Sequence, residues 1–230
     1  MLKLIKLEWK KGNIVRHLYC VVIMTVVLLI FLIATAGTAG ADTTSMGLYE
    51  RSIINAAVEL YTNMAFMVFT GIMLASFIVG EYESGTICLM FSYPIKRKKI
   101  LLSKIFAVWI FSFSALILSK LFIYAVLLAS RSLIDISAED IPFSSIMFWL
   151  DMLLSSVVMI SISYIALLIG LKMNSSKSTV VAAMLIALFS HGDIRGYTLL
   201  DNIPIYVTLL IISVISVCLT LHKLDTKDVL

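Results

Sequence analysis

Apolar residues run through this chain in continuous blocks rather than in alternation, and short polar stretches separate the blocks. A helix needs about 20 consecutive apolar residues to cross the hydrocarbon core, whereas a barrel strand alternates over about 10. The blocks at 18–39, 60–79, 105–130, 146–171, 179–190 and 203–221 therefore predict six transmembrane helices. The 179–190 block is short; it either borrows length from the polar turn at 172–178 or breaks at His191-Gly192-Asp193. Residues 1–15 predict an amphipathic helix, with Leu2, Ile5 and Trp9 on one side and Lys3, Lys6 and Lys10 on the other. Such a helix suits the headgroup region, and its charge also suits a flank that orients the first span. Between 41 and 59 the chain is polar, but Ile53, Ile54, Ala57, Val58 and Tyr61 keep helical spacing, so part of it is expected along the membrane surface. Ala34-Thr35-Ala36 has the look of a signal-peptidase site, yet the long basic leader and the length of the apolar run predict an uncleaved span. The expected fold is an all-α membrane protein. It has an interfacial helix over 1–15 and a single transmembrane domain over 16–230.

Composition agrees with the pattern. Hydrophobic residues make up 61% and charged residues 14%, against about half and about a quarter in an ordinary globular domain. The net charge of +4 matters less than its distribution. With the N-terminus inside, the predicted cytosolic segments carry 14 Lys and Arg and the outer loops carry Arg51, Arg131 and Arg195. That asymmetry predicts both termini in the cytosol. It also makes the lipid bilayer, and not nucleic acid, the partner of the basic residues.

Candidate chemistry is sparse. Cys20, Cys88 and Cys218 are too dispersed for a disulfide framework or zinc site, and His17, His191 and His222 form no metal cluster. There is no phosphate-binding Gly-rich loop ending in Gly-Lys-Ser/Thr, no His-Glu-x-x-His and no Gly-x-Ser-x-Gly. Catalysis and a resident cofactor or metal are therefore not expected. Ser163, Ala166 and Gly170, three and four residues apart, predict a close helix–helix seam and not a nucleophile. Two ionisable residues fall in apolar blocks, where they are costly unless paired. Lys120 and Asp151 differ in predicted depth by about 7 Å at 1.5 Å per residue, so they are candidates for an intramembrane ion pair. Lys120 could equally extend its ammonium toward the outer headgroups.

The densest charge between two apolar blocks lies at 80–104. Glu81 and Glu83 precede Gly85, which lets the backbone turn. A short apolar stretch, Ile87 to Phe91, follows; Pro94 ends it, and Lys96, Arg97, Lys98 and Lys99 lead back to the membrane. Glu81-x-Glu83-x-Gly85-Thr86, then Pro94-Ile95-x-Arg97, then Lys104 before an apolar span resembles the signature of ABC-2 type transporter permeases. There the pattern is commonly Glu-x-Glu-x-Gly-Thr, Pro-Val-Ser-Arg and Gly-Lys. Ser103 stands where that family usually has Gly, and Cys88 where an acidic residue is frequent. The short helices that family members often carry between spans five and six have little room in Gly192 to Asn202.

The resemblance covers essentially the whole chain and implies the membrane subunit of an ATP-driven exporter in a bacterial cytoplasmic membrane. ATP and magnesium would be bound by a separate ATPase subunit, and a second permease copy or a related permease would complete the pathway. It implies that Glu81, Glu83, Gly85, Thr86, Pro94 and Arg97 couple the ATPase to the spans through a coupling helix in this loop. The compact size resembles permeases that export antimicrobial or amphipathic peptides, including those of self-immunity systems. The alternative is a non-transporting membrane protein for immunity or sensing, which binds a peptide and recruits a cytosolic partner through the basic loop.

Overall fold

The computed structural model describes residues 7–9, 12, 14–39, 49–85, 97–130, 146–191, 193–194, 197–198 and 203–226. Nearly all of these are helical. The order is α1 (Ile14–Ala39), α2 (Tyr49–Leu74), a π turn (Ala75–Val79), α3 (Gly80–Glu83), α4 (Arg97–Ala129), α5 (Ile146–Ser163), α6 (Ile165–Met173), α7 (Ser176–His191) and α8 (Ile203–Thr226). Between α7 and α8, Asp193–Ile194 and Tyr197–Thr198 pair as a minimal antiparallel ladder. It occupies the connection in which the sequence leaves little room for extra helices.

Among the described residues, four helical stretches are long and apolar enough to cross a bilayer: Ile14–Thr35, Asn55–Glu83, Lys99–Ala129 and Ile146–Met173. Ser176–His191 and Val207–Thr220 are shorter apolar helices. At 1.5 Å per residue, the 16 residues of α7 extend about 24 Å, less than the roughly 30 Å hydrocarbon core.

Helix boundaries extend beyond the apolar blocks in informative ways. The second apolar block begins at Leu60, yet α2 begins at Tyr49, so Glu59 and Asn63 lie within its helical length. At the other end the helix continues through the π turn to Glu83, carrying Glu81 and Glu83 on helix instead of loop. Arg97, Lys98 and Lys99 belong to the first turn of α4. The stretch between α3 and α4 is correspondingly shorter than the polar pattern suggests.

The central helix is α2. Two-thirds of its span (67%) is buried within the protein, against 17% for α1. It packs most extensively on α7 and also on α4 and α5. Small residues permit the closest approach: a Cβ on Gly71 would collide with the Ala183 side chain. The main core joins Phe66, Phe69, Leu74 and Ile78 to Leu101, Val108 and Leu116 of α4 and to Ile160, Tyr164 and Leu167. By contrast α1 exposes Leu18, Val22, Ile23, Val27 and Ile30, an apolar surface suited to acyl chains.

Helices α5 and α6 form one nearly continuous rod interrupted at Tyr164, whose buried hydroxyl donates to the Ile105 carbonyl at 2.9 Å. The rod stops at Asn174, the C-cap of α6, in the left-handed conformation (φ 48°). Asparagine is one of few side chains that adopt it cheaply, and α7 starts two residues later. Ser163, Ala166 and Gly170 are buried along this rod. Ala166 packs with Ala182 and Ala183, and a Cβ on Gly170 would overlap the Thr179 hydroxyl.

Candidate functional site

Two buried lysines on α4 organise the polar chemistry of the protein. Lys104 and Lys120 are sixteen residues apart on one helix, about 24 Å along its axis, and each is fully buried. Burying an ammonium in an apolar medium is costly unless carboxylates and hydrogen bonds compensate it, and both lysines have such partners.

Lys104 sits where α2, the π turn and α4 meet the N-terminal segment. Its Nζ lies 2.9 Å from Glu8 Oε2 and 2.8 Å from Glu81 Oε2. It also donates to the Phe77 carbonyl at 3.4 Å. That carbonyl lies within the π turn, a helical irregularity often found at functional sites. The N-terminal segment is fixed by further contacts. Trp9 Nε1 donates to the Ala107 carbonyl at 3.2 Å, and Gly12 faces the Phe77 ring so closely that a Cβ there would overlap it. The same ring lies 5.3 Å from that of His17. Trp9 therefore points at α4, and Glu8, one residue before it, supplies the second carboxylate to Lys104.

Glu83, one turn-half further along α3, takes a different partner. Its Oε2 accepts from the Ser176 backbone N–H at 2.9 Å and from the Ser176 hydroxyl at 2.6 Å. Ser176 is the first residue of α7, where backbone N–H groups lack partners within the helix and a carboxylate is favoured by the helix dipole. Gly80 makes room: a Cβ there would lie 3.6 Å from the Ser176 hydroxyl and 3.2 Å from the Ala75 carbonyl. Beyond Ser84, Gly85 adopts φ +69°, a conformation that turns the chain away from the helix at little cost only for glycine. Arg97 opens α4. Its side chain, Thr86, Pro94 and the apolar stretch Ile87 to Phe91 lie outside the described residues.

At the other end of α4, Lys120 meets Glu59 at 2.6 Å. It also donates to Ser155 Oγ at 3.3 Å and Ser156 Oγ at 3.2 Å. Glu59 Oε2 further accepts from the Ser155 hydroxyl at 3.0 Å and from Asn63 Nδ2 at 3.1 Å. One turn on, the Tyr124 hydroxyl donates to Asn55 Oδ1 at 2.5 Å. This corrects the pairing expected between Lys120 and Asp151. Asp151 lies on an exposed part of α5, and the lysine turns instead toward Glu59 on α2. Matching depths along two helices does not determine which way each residue faces around its axis, and the expectation rested on depth alone.

The sequence did not single out Glu8, Ser176, Glu59 or Asn63. Glu8 is recognisable in retrospect as the one acid among Lys3, Lys6, Lys10 and Lys11. Glu59 was counted with the polar segment because the uninterrupted apolar block begins one residue later.

Among the described residues the polar side chains are drawn together by ion pairs and hydrogen bonds between helices. The arrangement offers two charged anchor points on one long helix, one of them beside the Glu-x-Glu-x-Gly segment. Comparison with known proteins accords with that. The chain is similar to the "Uncharacterized protein YcbO" of Bacillus subtilis (strain 168), at 20% identity over 234 residues that cover 99% of this chain and 100% of that protein. No solved structure matches it. Residues 4–190 match the family described as ABC-2 family transporter protein, and the chain belongs to that family of multi-pass cytoplasmic-membrane proteins.

Proposed function

We propose that this protein is the permease of an ATP-driven exporter: it has no ATP site of its own and converts movements of a separate ATPase subunit into substrate passage. Family membership implies the ATPase partner. The observation that carries the coupling role is the Glu81–Lys104–Glu8 cluster, where ion pairs join α3 to α4 and α4 to the N-terminal segment. A push on α3 reaches α4 directly through a charge contact.

In this reading six helices cross the membrane, both termini face the cytosol, and the Glu81 end of α2 is the cytosolic end. The short α7 and the 24-residue α8 complete the spans, and residues 1–15 lie at the interface. Two permease copies, or this chain and a related one, enclose the pathway. Glu81, Glu83, Gly85, Thr86, Pro94 and Arg97 serve coupling, while the substrate is an amphipathic peptide.

The test is ATP-dependent uptake of fluorescent amphipathic peptides into inside-out vesicles containing the chain and its ATPase. Glu81→Ala combined with Glu83→Ala should leave membrane insertion and ATP hydrolysis in place and abolish uptake. Normal uptake by the double variant would overturn the coupling assignment. An unsubstituted chain that binds peptide but moves none with ATP would favour a sensing or immunity protein.

A further inference from the structure

The two carboxylates of the Glu81-x-Glu83 pair are each engaged within the chain, and by different helices. Glu81 is held by Lys104 of α4, which also holds Glu8. Glu83 is held by the backbone N–H and hydroxyl of Ser176, at the start of α7. Glu81 and Glu83 share one short helical turn, α3, which follows the π turn. A displacement of α3 therefore acts on two separate helices. Helix α4 is 33 residues long and α7 is 16, and both pack on α2.

We propose that Lys104 and Ser176 are positioning residues that divide the movement of the coupling segment between α4 and α7. This rests on the permease reading above. Its consequence is that Glu81 and Glu83 act on their own chain and do not serve as charged contacts for the ATPase. Both bonds from Ser176 end on one acceptor oxygen of residue 83. Glu83→Gln preserves that oxygen, so it retains coupling, whereas a charge contact with a basic group of the ATPase would be lost on the same substitution. Lys104 needs a cation that reaches both carboxylates, so Lys104→Arg is the conservative exchange at that site.

The experiment uses the complex co-purified with its ATPase, in lipid nanodiscs, with Cys20, Cys88 and Cys218 replaced by Ser. A bimane probe is attached at the far end of one of these helices at a time, after Ala129→Cys on α4 or Phe189→Cys on α7; both positions are exposed. Its emission is read before and after ATP with vanadate. The unsubstituted background should show an emission shift at both positions. Ser176→Ala, which keeps the backbone N–H bond to Glu83 and loses the hydroxyl bond, should diminish the shift at position 189 and leave it unchanged at 129, and Ser176→Thr should restore it. Lys104→Met should lose the shift at 129 and keep it at 189, with Lys104→Arg restoring it. Glu83→Gln should behave as the background does.

An undiminished shift at 189, or an equal decrease at both positions, in Ser176→Ala would overturn the division. So would loss of ATPase recovery in Glu83→Gln. If no ATPase accompanies the unsubstituted chain, the permease reading itself falls, and the division falls with it. Because Ser176→Ala removes only a hydroxyl at a half-buried helix start, it tests the idea even where Lys104→Met fails to fold.

Discussion

Removing either partner of the Glu59–Lys120 pair should have unequal consequences, and the structure indicates which is worse. Lys120 is fully buried, whereas the Glu59 side chain is 27% exposed. Glu59→Gln leaves a buried ammonium with only the Ser155 and Ser156 hydroxyls and an amide. Breaking a buried pair in this way costs about 3–5 kcal/mol. The loss is limited because an ordinary lysine can shed its proton at pH 7 for about 4–5 kcal/mol. Lys120→Met leaves the Glu59 carboxylate partly exposed and with donors from Ser155 and Asn63. Its cost should be nearer the 1–3 kcal/mol of an incompletely satisfied polar group. In the double variant neither charge is stranded, so it should be more stable than Glu59→Gln alone. Thermal unfolding of purified protein in one detergent, followed by fluorescence-detected size exclusion, gives the ranking. The expected order of Tm is unsubstituted, then the double variant or Lys120→Met, and Glu59→Gln last. Equal losses from the two single variants, or strict additivity in the double variant, would refute the reasoning.

Three further outcomes follow from local geometry. Gly170→Ala should cost about 1–3 kcal/mol by overpacking, because the added methyl overlaps the Thr179 side chain; Thr179→Ala should recover part of the lost Tm. Gly85→Ala should cost only about 1–2 kcal/mol from the left-handed backbone, since nothing lies within 4 Å of its added Cβ. Gly85→Asn should be milder in the same thermal assay. Trp9→Phe removes the indole donor to Ala107 and should lower stability by about 1 kcal/mol, with faster proteolysis of the N-terminal segment as a second readout.

The apolar blocks made the helices legible because a bilayer admits few alternatives for a continuous apolar run. Boundaries were harder to read. The polar residues Glu59, Glu81 and Glu83 lie on helices, since a helix whose backbone bonds are already formed extends past its apolar block when its charges find partners. The carboxylates of Glu81 and Glu83 stood out because they adjoin an apolar span within a recognisable spacing. Their partners did not, because Glu8 and Ser176 are separated by 96 residues from Lys104 and 93 from Glu83 respectively. Contacts that distant depend on how the helices pack and rotate, which periodicity does not encode. The same limitation explains Lys120: its isolation in an apolar block signalled a necessary partner, and only the rotation of α2 against α4 identifies Glu59.

The central claim is that this chain works as a permease driven by a separate ATPase. The most direct measurement is affinity purification of the tagged chain from native membranes in a gentle detergent, with its partners identified by mass spectrometry. An ATPase subunit should be recovered, and alteration of the segment from Glu81 to Arg97 should diminish that recovery. Repeated purification without any ATPase would contradict the account.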